Sequence, residues 1–227
     1  MTSFEQALPG VWRWADAAGS DRCGTALAAG GEVMLVDPPA LPAGTRGEIE
    51  RRGGPIRHVL LTSARLAPLA TPFRAEGAAV WAPRLPNERA ARDGVDHLFE
   101  LDAQLPGGLL VCQLPQDAAP DGEVAFLWPH AGEGLLLTGD VLPVVGQTPV
   151  YLEGAAPPIV AYQGAIRALL AADPGALAPA HHAPPDRYVA LATAYAAHIG
   201  NAYHRRNAAP VTGPRFLVPA AERALSE

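Results

Sequence analysis

Ser63 could act as a nucleophile, because a serine, a histidine and an aspartate are all nominally available in this chain. However, no Gly-x-Ser-x-Gly motif surrounds Ser63. A serine placed just before a helix that begins near residues 64–66 is typical of an N-cap, so we expect Ser63 to cap that helix. The chain contains no lysine, and all 17 of its cationic residues are arginine. This excludes a lysine Schiff base and the lysine of a P-loop.

The composition predicts a globular protein that does not bind nucleic acid or membranes. Of 227 residues, 49% are hydrophobic and 18% are charged, and the net charge is −6 without a basic run. Two cysteines, Cys23 and Cys112, are too few for a disulfide framework or a cysteine-based zinc site. With no signal peptide pattern and no apolar run of about 20 residues, we expect a cytoplasmic protein.

The spacing of apolar residues predicts two groups of short strands, each followed by helices. Gly30-Gly31 predicts a hairpin, and Pro72 is expected to interrupt a helix. Strands are predicted over residues 11–14, 25–28, 32–36, 58–62, 79–82, 109–114, 123–128 and 135–138, and helices over 47–52, 66–76, 159–170 and 188–202. This order indicates two facing sheets with helices outside. We expect one domain over residues 1–227, with residues 185–227 forming a C-terminal helix and tail packed on it.

Five short segments, in this order, resemble the motifs of the metallo-β-lactamase superfamily. Residues 136–140, Leu-Leu-Thr-Gly-Asp, match the third motif, and residues 177–181, Leu-Ala-Pro-Ala-His, match the fourth. The earlier landmarks are Val-Asp-Pro at residues 36–38, His-Val-Leu-Leu-Thr at 58–62 with Val-Trp-Ala-Pro at 80–83, and Leu-Pro at 114–115 with Gly-Glu-Val-Ala-Phe at 122–126. The resemblance implies an α/β fold, the αβ/βα four-layer sandwich of two facing mixed sheets with helices outside, and a site at one edge between the sheets.

The metal ligands of the family are largely missing from this sequence. The first motif, His-x-His-x-Asp-His, is replaced at residues 63–68 by Ser-Ala-Arg-Leu-Ala-Pro, which offers no such ligand. By resemblance, Asp140 and His181 survive as ligands, and Asp117 replaces the histidine of the second motif. We therefore expect no cofactor. The alternative is a remnant single-metal site, holding zinc or manganese through Asp117, Asp140 and His181.

Arg65 lies in the turn that has lost its ligands. A partly buried Asp140 without metal needs a counter-charge, and a guanidinium binds carboxylates bidentately. Our hypothesis is that Arg65 replaces the charge of the metal by pairing with Asp140 or Asp117. The alternative is that Arg65 points to solvent from the start of a helix.

Together these residues predict a non-hydrolytic protein, a pseudoenzyme that binds a small acidic ligand near Arg65 or a protein partner. Ser63, Arg65, Asp117, Asp140 and His181 are the candidate cleft residues. The alternative function is a hydrolase of a thioester, lactone or phosphoester that uses the remodelled single-metal site, with His182 or His130 recruited. A structural role as a homo-oligomer is a third possibility.

Overall fold

The computed structural model describes residues 4–17, 22–84, 93–115, 119, 122–129, 134–140, 144–145, 148–149, 164, 174, 176–180 and 215–216. Within them lie two helices, α1 (Thr45–Gly53) and α2 (Ala67–Ala75), and fourteen strands. The strands are β1 (Phe4–Leu8), β2 (Val11–Ala15), β3 (Cys23–Ala29), β4 (Glu32–Val36), β5 (Ile56–Leu60), β6 (Ala79–Pro83), β7 (His97–Phe99), β8 (Leu110–Gln113), β9 (Val124–Trp128), β10 (Leu135–Gly139), β11 (Val144–Val145), β12 (Thr148–Pro149), β13 (Ala176–Pro179) and β14 (Arg215–Phe216).

The first sheet contains seven strands that follow one another in chain order from β1 to β7. Strands β1 to β4 are antiparallel neighbours, whereas β4 to β7 run parallel. The predicted hairpin at Gly30-Gly31 is confirmed, because Ala29 pairs with Glu32 and both glycines have positive φ, 63° and 82°.

The second sheet has the strand order β14-β13-β10-β9-β8. Strands β8, β9 and β10 are antiparallel, and β10, β13 and β14 are parallel. Both large sheets are therefore mixed, as the resemblance implied. A short antiparallel pair, β11 and β12, stands apart from them.

The first sheet has two buried faces, because apolar side chains lie on both sides of its strands. In β4, Val33 and Leu35 belong to the apolar cluster that includes Ile49 of α1 and Phe73 of α2. Met34 and Val36 of the same strand belong to a second cluster, shared with strands of the other sheet. Since successive side chains of a strand point to opposite faces, one face of this sheet packs on helices and the other on the second sheet.

Pro72 does not interrupt its helix, so that expectation was wrong. Helix α2 runs from Ala67 to Ala75 with Pro72 inside it. Proline removes one backbone hydrogen bond, but Pro72 lies on the exposed side, and burial of Ala70 and Phe73 holds the helix against the sheet.

The helices predicted over residues 159–170 and 188–202 lie outside the described residues. The two helices that are described are not long and apolar enough to cross a membrane.

Candidate functional site

The topology brings the ends of several strands to one edge of the sandwich. Asp37 and Thr62 follow the parallel strands β4 and β5, and Asp140 follows β10. Arg22 precedes β3 and Glu123 precedes β9, and these strands are antiparallel to β4 and β10. Their beginnings therefore lie where β4 and β10 end. We call Arg22, Asp37, Thr62, Glu123 and Asp140 the edge site.

Backbone hydrogen bonds join the two sheets at this edge. The amide of Val124 donates to the carbonyl of Thr62 over 2.9 Å, and the amide of Cys23 donates to the carbonyl of Ala180 over 2.7 Å. The amide of Ala180 in turn donates to the carbonyl of Gly139 over 3.1 Å. These bonds fix the spacing of the strand ends, and so the positions of the side chains that they carry.

Asp37 is a buried carboxyl group anchored to the end of β5. It is 1% exposed and has a positive φ of 44°, a conformation that aspartate tolerates better than most residues. Its Oδ1 accepts from the Thr62 amide at 2.8 Å and its Oδ2 accepts from the Thr62 hydroxyl at 2.7 Å. Burial raises the pKa of Asp37 to about 7, although the hydrogen bonds from Thr62 oppose that rise.

Glu123 is the second buried carboxyl group of the edge site, 8% exposed. Its Oε1 accepts from the backbone amide of Asp140 at 2.8 Å, so it holds the start of the turn after β10. Burial and, to a smaller extent, the nearby charge of Asp140 raise the pKa of Glu123 to about 8. The amide of Asp140 and the positive charge of Arg65 act in the opposite direction.

Asp140 forms a two-point ion pair with Arg22. The distances are 3.3 Å from Nη1 to Oδ1 and 3.1 Å from Nη2 to Oδ2. The two side chains are 22% and 27% exposed, so the pair is only partly screened by water. Both carboxylate oxygens of Asp140 therefore face a guanidinium.

Gly139 permits the close packing of this edge. Its φ is +59°, and a Cβ atom placed there would lie 2.4 Å from Thr62 Oγ1 and 2.9 Å from Glu123 Oε1. A side chain at this position would push Thr62 and Glu123 away from the turn that they hold. Position 139 therefore requires glycine for two reasons: its positive φ and the lack of space for a Cβ atom.

Ser63 and Arg65 occupy the turn that replaces the first motif. Ser63 has the predicted capping role, because its Oγ accepts from the amide of Arg65 at 3.4 Å at the start of the short helical turn Ala64–Leu66. The exposed side chain of Arg65 also approaches Ser63, with its Nε 3.5 Å from the same Oγ. Asp140 is paired at two points by Arg22, whose place before β3 sets it beside the end of β10. The pairing of Arg65 with Asp140 or Asp117 stays a prediction.

Two of the candidate residues, Asp117 and His181, lie outside the described residues, as do His130 and His182. In the part of the chain that the structure describes, no group of three or more histidine, cysteine, aspartate or glutamate side chains is placed to hold a metal ion. Ser63 and Arg65 do not supply donors of the kind that zinc selects. The described residues of the edge site therefore do not fit zinc by themselves.

Sequence reasoning missed Arg22 and gave Glu123 no role. Both are charged residues directly before a buried strand. That position is a weak signal, because most charged residues at strand ends face solvent. They are functional candidates because strand pairing brings both of them into contact with Asp140, which lies far from Arg22 in sequence.

Comparison with known proteins identifies the fold. The structure resembles the metallo-β-lactamase FIM-1 from Pseudomonas aeruginosa in its mono-zinc form, with a TM-score of 0.58, 17% identity, and coverage of 80% of this chain and 88% of that chain. A metallo-β-lactamase from Erythrobacter litoralis is similar with a TM-score of 0.51 and 20% identity, over 81% of this chain and 86% of that chain. DIM-1 metallo-β-lactamase exposed to ceftazidime has a TM-score of 0.58 and 11% identity, over 80% of this chain and 90% of that chain. No family model and no curated protein matches the sequence. The chain has the metallo-β-lactamase fold.

Proposed function

We propose that this chain is a non-hydrolytic protein with the metallo-β-lactamase fold, which binds a small acidic ligand at the edge site. The observation that carries the proposal is the ion pair of Arg22 with both carboxylate oxygens of Asp140. By resemblance, Asp140 is the residue that would hold the metal. A guanidinium on both of its oxygens competes with a metal ion for the same carboxylate.

Hydrolysis in this fold would depend on a metal ion that lowers the pKa of its bound water to about 7. The turn of residues 63–68 carries an exposed arginine and a capping serine where the family has ligands. Without those ligands the turn of residues 63–68 would not hold a metal ion that generates hydroxide at neutral pH. The fold would then serve as a binding scaffold.

An acidic ligand suits the charges of this edge. Arg22 and Arg65 place two guanidinium groups near Asp140 and Glu123, and guanidinium groups bind carboxylates and phosphates well. The buried carboxyl groups contribute less negative charge than their number suggests, because burial raises the pKa values of Asp37 and Glu123. An anionic ligand that reached Arg22 would compete with the Asp140 carboxylate for the Arg22 guanidinium.

Metal content tests the first half of the proposal. The full chain is incubated with zinc or manganese and desalted, and the bound metal is measured by inductively coupled plasma mass spectrometry. We expect no stoichiometric retention. Retention of about one equivalent that is lost in Asp140→Ala would overturn the non-hydrolytic assignment and support a single-metal site.

Anion binding tests the second half, with malonate as the probe. We expect malonate to shift the NMR signals of the Arg22 and Arg65 side chains saturably, and Arg22→Gln to weaken binding about tenfold or more. Arg57→Gln is the matched control, because Arg57 is exposed on β5, away from the edge site. Equal binding by Arg22→Gln and the unchanged chain would contradict an anion site at Arg22.

A hydrolase of a thioester, lactone or phosphoester is the second candidate function. It is favoured by Glu123, because a buried carboxyl group with a pKa of about 8 can exchange a proton near neutral pH. Asp140, Asp117 and His181 would be the residues to hold zinc or manganese in such an enzyme. Turnover of any of these ester classes by zinc-loaded protein, abolished in Asp140→Ala, would support this function over the first.

A further inference from the structure

A cleft of about 290 Å³ opens beside the edge site, between the ends of β6 and β7 and the described residues Leu114, Ala119 and Gly122 between β8 and β9. Its inner wall is buried and largely apolar, and is formed by Pro83, Phe99, Leu114, Ala119 and Val124. At about 30 Å³ for each water molecule, this volume corresponds to roughly ten waters. It is therefore large enough for a small ring compound.

Glu123 is the polar group in that buried wall. Its Oε1 accepts a hydrogen bond from the Asp140 amide over 2.8 Å. Small-molecule sites commonly combine apolar walls with a few fixed polar groups that orient the ligand. The hydrogen bond to Asp140 fixes Glu123 in this way.

Among the residues that the structure describes, the rim of the cleft carries one charge of each sign. Arg84 and Glu100 form an ion pair with 2.6 Å between Nε and Oε1, and both side chains are exposed. Because these two charges compensate each other, the described part of the rim gives no preference for an anion or a cation. Placing a charged ligand against the apolar inner wall would carry a desolvation cost that the rim does not offset.

We propose that this cleft binds a small uncharged molecule with a flat apolar body and a carboxamide group that pairs with Glu123. A carboxamide carries a donor and an acceptor side by side, so it matches a carboxyl group whether or not that group is protonated. The apolar body lies against Phe99, Leu114 and Val124. This goes beyond the anion site of Arg22 and Arg65, since it adds a second subsite with a different ligand class.

The test uses benzamide as the probe, with methyl benzoate and benzoate as comparisons of similar size. Binding to the full chain is followed by ¹H–¹⁵N NMR. We expect benzamide to shift the amides of Gly122, Glu123 and Val124 saturably, with a dissociation constant of about 1 mM or less. Benzoate is charged, so it should bind about tenfold more weakly at these amides. Methyl benzoate keeps the carbonyl acceptor but lacks the N–H donor, so it should bind more weakly than benzamide.

Two variants and one control locate the site. Ala119→Phe fills the cleft from its inner wall, and Leu101→Ala removes an exposed part of the rim without risk to the fold. Both should weaken benzamide binding, Ala119→Phe by about tenfold or more. Thr71→Phe is the control, because Thr71 is exposed and lines a different cavity, of about 570 Å³, between α2 and β6. It should leave benzamide binding unchanged.

Several results would overturn the proposal. They are the absence of saturable shifts up to about 10 mM benzamide, shifts centred on Gly77 and Asp96 of the other cavity, or tighter binding of benzoate at Gly122–Val124. Should Ala119→Phe fail to fold, an unchanged affinity in Leu101→Ala contradicts the proposal instead. Benzoate binding that shifts only the Arg22 and Arg65 side chains supports the anion site, so the two proposals fail separately.

Discussion

Arg22 and Asp140 lie 118 positions apart in the sequence, yet they face each other across the edge where the two sheets meet. Arg22 lies directly before β3 of the first sheet, and Asp140 lies directly after β10 of the second. The pair adds a charged link to the backbone hydrogen bonds that join Thr62 to Val124 and Cys23 to Ala180. The ion pair of Arg22 with Asp140 therefore also links the two sheets at the edge of the sandwich.

Replacing Arg22 with alanine should destabilise the protein by about 1–2 kcal/mol, because Asp140 keeps its charge in a partly dry site and loses this partner. Arg51→Ala is the matched control. Arg51 also makes a two-point pair, with Glu48, but on the exposed surface of α1, so its loss should change stability little. Chemical denaturation of the two variants measures the difference.

A double-mutant cycle with Asp140→Asn separates the ion pair from other effects of the substitution. If the ion pair is responsible, Arg22→Ala should lower the free energy of unfolding clearly less in the Asp140→Asn background than in the unchanged chain. Equal costs in both backgrounds would mean that Arg22 stabilises the edge in another way.

Gly139→Ala should be far more destabilising than Gly30→Ala, although both glycines have almost the same φ. Their φ values are +59° and +63°, but the space differs: a Cβ at Gly139 would meet Thr62 and Glu123, and one at Gly30 would meet nothing within 4 Å. Gly30→Ala should cost about 1 kcal/mol from the backbone conformation. Gly139→Ala should cost about 1–3 kcal/mol more through crowding.

Urea unfolding of the two glycine variants checks this prediction. Any stabilisation from restricting the unfolded chain is common to both and cancels in the comparison. A similar loss in the two variants would show that Thr62 and Glu123 move aside easily. The close packing at Gly139 would then not be what positions Glu123.

The strands of the first sheet could be predicted from sequence because their signals are local. Alternation and turn residues placed β4 over residues 32–36 and the hairpin at Gly30-Gly31, and both agree with the structure. Strand β7 was missed, since its three residues, His97–Phe99, are too few to show a period. The facing arrangement of the sheets followed from the order of the elements and from the resemblance.

The edge site was harder to predict, because its pairs depend on register between distant strands. The motif segments did locate Asp37 and Asp140 at strand ends. Arg65 lies within the altered motif and could replace the charge of a metal ion there, which is why we expect it to pair with Asp140 or Asp117. Arg22 meets Asp140 through the antiparallel pairing of β3 with β4 and the contact between the two sheets. The hairpin at Gly30-Gly31 indicates the pairing, but no local signal indicates which residues meet across the sheets.

Arg13→Met should cost about 2–4 kcal/mol, because it leaves two polar groups without a partner inside the sandwich. Arg13 is 1% exposed, and it donates to the hydroxyl of Thr25 and to the carbonyl of Pro179. It therefore connects β2 and β3 to the end of β13. Arg57→Met, on the exposed side of β5, is the control and should change stability by less than about 0.5 kcal/mol.

Thermal unfolding and amide exchange together test the role of Arg13. Besides the lower melting temperature, we expect faster exchange of the Ala180 amide, which donates to Gly139 just after the end of β13. A lower melting temperature with unchanged exchange at Ala180 would indicate a general packing loss. It would argue against Arg13 as a clamp on β13.

Asp37 makes stability depend on pH in the direction opposite to that of most aspartates. Burial raises the pKa of Asp37 to about 7, whereas an unfolded chain has a value of about 3.9. The folded state therefore holds this proton more tightly, and its contribution to stability is complete below about pH 4. That contribution is lost as the pH rises to about 7. The pKa of Glu123, raised to about 8, acts in the same direction over a slightly higher range.

Asp37→Asn isolates this effect, since asparagine keeps the shape and the acceptor for the Thr62 amide but does not titrate. Stability is measured by denaturation at intervals from pH 4.5 to pH 8. We expect the unchanged chain to lose stability relative to Asp37→Asn as the pH rises, mainly below pH 7, whatever the constant offset between them. Parallel curves would mean that Asp37 keeps its charge in the folded state, stabilised by Thr62 and Arg22 more strongly than burial opposes it.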